Sequence, residues 1–112
     1  MRKLCLILVV VLLFSSIIYG ATTATGKTLT LTFDGTTAQC TTKITHSGAY
    51  IDVTMKLYKG TTFVQSWHKS GLDIVKLEKT KICISGQTYT LQADVTVDGV
   101  PVNVSPMTEI CP

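Results

Sequence analysis

Two histidines, His46 and His68, and three of the four cysteines, Cys40, Cys83 and Cys111, are the side chains here best equipped for chemistry. A histidine can serve as base or metal ligand near neutral pH. Neither has a second histidine, a cysteine or an acid at metal-ligand spacing, and the cysteines form no CxxC pair, so no zinc site is indicated. Ser47 adjoins His46, but neighbours on a strand point to opposite faces, so nucleophile and base would diverge. Asp52 and Asp94 could form a carboxylate pair of the kind that hydrolyses glycosides, yet two outward acids are ordinary on a strand domain. The eight glycines are scattered singly, as turn residues, and build no phosphate-cradling loop. These residues assemble no catalytic, cofactor or metal set, and the chain reads as a non-enzyme.

The aromatic residues offer a binding surface instead. Tyr50 and Tyr58 fall on the outward face of one alternating stretch, and Trp67 follows on the next. Together they could stack on sugars or on a partner protein. The alternative for Trp67 is that it folds over the sheet margin and covers core.

The elements that must position these groups are strands. In "TYTLQADVTV" (88–97), Tyr89, Leu91, Ala93, Val95 and Val97 share one face and polar residues the other, the period of a half-buried strand. Asp98-Gly99 then supplies a two-residue type I′ turn. This fixes a register pairing Val97 with Val100, Val95 with Val102 and Ala93 with Val104. Pro101 has no N–H to give a further neighbour, so the strand after the turn is a sheet edge. Similar alternation runs through "TLTLTFDG", "AQCTTKITH", "AYIDVTMKLYKG", "TFVQSWHKSG" and "LDIVKLEKTKIC". Seven short strands without a helical period point to an all-β antiparallel sandwich or barrel.

Residues 1–20 stand apart. "MRK" is a basic start, "LCLILVVVLLF" an unbroken apolar run, and "SSIIYGATTA" a passage of small residues, the pattern of a secretory signal peptide. Cleavage is expected after Gly20 or Ala24, leaving one domain over residues 21–112. The apolar run is short of the roughly 20 residues a spanning helix needs. Without the leader, eight lysines face seven acids, so the basic balance of the whole chain carries no argument for a nucleic-acid partner.

"CISGQTYTLQADVTVDG" resembles the strand–loop–strand passage of fibronectin type III and related immunoglobulin-like domains. There a glycine-containing loop and a tyrosine introduce a long alternating strand. The resemblance implies a seven-stranded sandwich, here as a small stand-alone secreted protein, with Tyr89 as the corner tyrosine whose hydroxyl bonds nearby upstream backbone. This chain departs from the family on the second strand, where Cys40, Thr42 and Ile44 stand in place of a buried tryptophan. The same resemblance gathers Cys40, Cys83 and Cys111 at one pole. It favours a Cys40–Cys111 disulfide, with Cys40–Cys83 as the alternative. The expected function is surface recognition of an extracellular protein or glycan, and the alternative is a small secreted effector (an inhibitor, toxin or minor hydrolase). Asn103-Val104-Ser105 is a glycan acceptor sequence weakened by the Pro106 that follows it.

Overall fold

The structure, a computed structural model, describes residues 25–112. The signal peptide expected over residues 1–20 lies outside the described residues. Six strands are present: β1 (Gly26–Asp34), β2 (Thr37–Lys59), β3 (Thr62–Ile82), β4 (Thr88–Val97), β5 (Val100–Val102) and β6 (Met107–Ile110). Among the described residues there is no helix, and all pairings are antiparallel, joined into one curled sheet.

The seven strands expected become six because two expected breaks are crossed without one. β2 runs through "THSGAY" and β3 through "SGLDI". Between the pairs Thr45–Ile74 and Tyr50–Leu72, residues 46–49 of β2 lie opposite Asp73 alone. The surplus bends both strands. Gly48 (φ 77°) and Asp73 (φ 67°) take the left-handed backbone there, and the Gly48 N–H donates to Asp73 Oδ1 at 2.6 Å. Asp accepts this conformation more readily than most residues because its short side chain bonds locally. At its other end the edge divides: β5 and β6 are two short strands in place of one.

The bend gives β2 two sets of neighbours. Its first half pairs with β1 on one side and the second half of β3 on the other. Its second half pairs with the first half of β3 and with β4. The alternation read from sequence sends Leu29, Leu31, Ala38, Cys40, Ile44, Ile51, Val53, Met55, Leu57, Val75, Leu77, Leu91 and Val95 into one buried cluster. Thr42, the buried polar residue within it, donates its hydroxyl to the Thr28 carbonyl at 2.8 Å.

The Asp98-Gly99 turn forms with both residues at positive φ (50° and 78°), and Val97 and Val95 meet Val100 and Val102 as expected. The further pair, Ala93 with Val104, does not form. Unbroken, that register would set Pro106 opposite Leu91 at a position where a ladder N–H is required, and proline has none. One residue is inserted, and Met107 takes the place beside Leu91. Val100, at the turn, stays 64% exposed rather than joining the core face.

Candidate functional site

The second half of β2 buries Ile51, Val53, Met55 and Leu57, so Tyr50, Asp52, Thr54, Lys56 and Tyr58 must stand on its opposite, open face. Register adds Ser70, His68 and Ser66 from β3, and Thr96, Asp94 and Gln92 from β4. Three contacts cross this face, all diagonal to the register, the direction in which sheet twist brings long side chains together. Tyr50 Oη donates to Ser70 Oγ at 2.8 Å. His68 Nε2 and Asp52 Oδ1 are hydrogen-bonded. Lys56 Nζ pairs with Asp94 Oδ2 at 2.7 Å, and that hydrogen bond, reinforced by the carboxylate's charge, raises the lysine pKa above its usual value. Tyr50 is half exposed, and Tyr58 stands edge-on to Phe63 with ring centroids 5.8 Å apart. Eight residues of strand separate the two tyrosines, roughly 26 Å.

Trp67 does not share this face. It lies opposite buried Met55 and packs, partly buried, against the core. The cause is one residue. The Lys59–Thr62 and Tyr58–Phe63 pairs are followed by Leu57–Gln65, which leaves Val64 as an insertion. Because side chains alternate with period two, a one-residue bulge exchanges the faces of everything after it. Without it Trp67 would stand opposite Thr54 on the open face. With it, His68 takes that place. The bulge therefore both withdraws the tryptophan and creates the Asp52–His68 pair, which the unbulged sequence pattern conceals.

His46 lies on the bend of β2, its Nδ1 2.7 Å from Thr25 Oγ1. The Asp52–His68 pair has the elements of a base and its orienting acid, but both side chains are about half exposed (45% and 56%) on an open sheet. Shallow depressions mark the surface of the described residues, and neither histidine lines the four best described of them. One of ≈ 440 Å³ is bounded by Gln39, Thr41, Glu78, Lys79 and Thr80, and another of ≈ 330 Å³ occupies the gap where β4 pairing lapses around Val104 and Pro106. Among the described residues, no group of three or more His, Cys, Asp or Glu is placed to hold a metal ion.

The three cysteines among the described residues are buried and their thiols are free, with no disulfide, Cys40–Cys111 included, in this structure. Cys83 adds to the rise in the Cys40 pKa, and Cys111 adds to the rise in that of Cys83. Burial, then the neighbouring Cys83, push the Cys40 thiol up to about 11. Tyr89 closes the group. Its hydroxyl accepts the Ile84 N–H at 2.8 Å and is raised in pKa chiefly by burial, with Cys83 and Cys111 adding to the rise.

No protein-family model matches this chain, and no curated protein is significantly similar to it.

Proposed function

We propose that the domain is a fibronectin type III-like sandwich that acts outside the cell as a non-catalytic recognition module for a protein or glycan. Dividing β2 and β3 at their shared bend supports the fold. β1, the first half of β2 and the second half of β3 make one layer. The first half of β3, the second half of β2, β4 and the β5–β6 edge make the other. Such a division into two layers is what the resemblance implies, and the Tyr89–Ile84 bond supports it as a candidate for the corner contact.

The observation that carries the function is the open face of the second half of β2. Tyr50 and Tyr58 bound a strip whose centre holds Asp52–His68 and Lys56–Asp94. The half-exposed Tyr50 ring and the partly exposed Tyr58 ring supply stacking area, and paired polar groups supply directional donors and acceptors that are already oriented. A flat strip suits an extended ligand rather than a small molecule enclosed in a cleft. The test is capture from extracellular fractions and binding to a glycan panel, each run in parallel with Tyr50→Ala/Tyr58→Ala. Saturable binding lost in the double variant supports the reading; binding indifferent to both changes, or no saturable ligand, refutes it. The Asp52–His68 pair favours a second reading, a minor hydrolase, which requires hydrolytic turnover abolished in Asp52→Asn.

A further inference from the structure

We propose that Cys83 and Cys111 are a redox pair that closes to a disulfide while Cys40, beside them, stays a thiol. Backbone bonds bring the two together. Cys83 ends the β3 pairing with its N–H on the Thr36 carbonyl at 2.7 Å. The chain then turns back through residues 84–87, where the Gln87 N–H reaches the Ile84 carbonyl at 3.3 Å. Cys111 clasps this turn from the other side: its N–H donates to the Gln87 carbonyl at 2.9 Å, and its carbonyl accepts the Gly86 N–H at 2.8 Å. The turn thus has one cysteine at its entrance and the other strapped to its exit.

Placement and exposure select the partner. Cys40 lies within β2, held between Leu31 of β1 and Lys79 of β3, and is 0% exposed. Burial raises its thiol to about 11, so little of it is thiolate at neutral pH. Cys83, at 7%, is the most exposed, and Cys111 lies beyond β6, tied by its two backbone bonds to the turn that Cys83 enters rather than to a neighbouring strand.

The oxidant is a small-molecule disulfide such as glutathione disulfide. Cys83 thiolate attacks one of its sulfurs, forming a mixed disulfide and expelling one glutathione thiolate. Cys111 thiolate then attacks the Cys83 sulfur, forming the protein disulfide and expelling the second. The two cysteine protons end on the two glutathiones, so two protein thiols are oxidised and one external disulfide is reduced.

Trypsin separates the outcomes, because no lysine or arginine follows Lys81. Cys83 and Cys111 share the peptide 82–112, Cys40 lies on 28–43, and Cys5 on 4–27. The full chain is equilibrated with glutathione disulfide, alkylated before and after unfolding, and digested without reduction. The expected result is peptide 82–112 lighter by two hydrogen atoms and unalkylated, with 28–43 alkylated only after unfolding. A covalent 28–43/82–112 product, or three alkylated cysteines, overturns the proposal. Cys40→Ala should form the same bridge and keep the rise in melting temperature on oxidation, about 10 °C or more. A rise that disappears in Cys40→Ala also overturns it.

Discussion

Replacing Tyr89 with phenylalanine removes one oxygen from the joint between the 84–87 turn and the start of β4. The ring is 2% exposed and stays in place, with its tilted contact to Phe33 (centroids 6.0 Å apart) intact. The oxygen, however, accepts the Ile84 N–H at 2.8 Å. Losing a net hydrogen bond costs about 1 kcal/mol, and stranding a donor that water reaches only in part adds about 1 kcal/mol. The variant should therefore lose about 2 kcal/mol. For a domain of this size, that lowers the melting temperature by about 8–16 °C. In urea the midpoint should fall with the slope unchanged, since no additional surface is exposed on unfolding. Tyr58→Phe, on the open face, is the control and should change stability by less than about 0.5 kcal/mol. If Tyr89→Phe also falls below about 0.5 kcal/mol, water replaces the hydroxyl freely and the corner contact does not brace the turn.

Asp98 has two roles, since it adopts φ 50° in the turn and its Oδ1 accepts the Tyr50 N–H at 2.9 Å. Asp98→Gly keeps the backbone but loses the acceptor, at about 1 kcal/mol; Asp98→Ala adds left-handed strain of about 1 kcal/mol more, an order that urea titration of both variants checks. Reduced protein should weaken in alkali. The folded Cys40 thiol, at about 11 against an ordinary 9.0, holds its proton after the unfolded chain has lost it. Its contribution is complete below pH 9 and disappears as pH rises toward 11, about 2–3 kcal/mol in all. Cys83 and Tyr89, both raised, act in the same direction, and Cys40→Ala should flatten the profile measured by denaturant midpoints from pH 8 to 11.

The alternation of apolar and polar residues was enough to assign the strands and nearly the whole core, because burial on one face imposes period two directly. The Asp98-Gly99 turn was equally plain, since few other dipeptides take positive φ twice. Three features were not legible, each for a reason of register. The continuous run of β2 and β3 through their bend depends on residues 46–49 facing a single Asp73, a count that involves two distant segments. That Trp67 covers core was one of the two readings open; what no composition signal marks is the Val64 insertion that turns it inward. The Asp52–His68 pair follows from that same insertion. Pro106 did carry a usable signal, because a proline at a bonded ladder position requires the register to slip.

The long central strand, β2, has a consequence for how the molecule comes apart. One uninterrupted ribbon is stitched at its beginning to β1 and at its end to β4, with β3 alongside for almost all its length. Neither region can peel away while the other survives, because the backbone they share would have to be ordered and disordered within a few residues. Heat or denaturant should therefore meet a single collective transition, with probes at Trp67 and Tyr89 reporting the same midpoint. A change made at one extremity should be felt at the other as readily as where it was made.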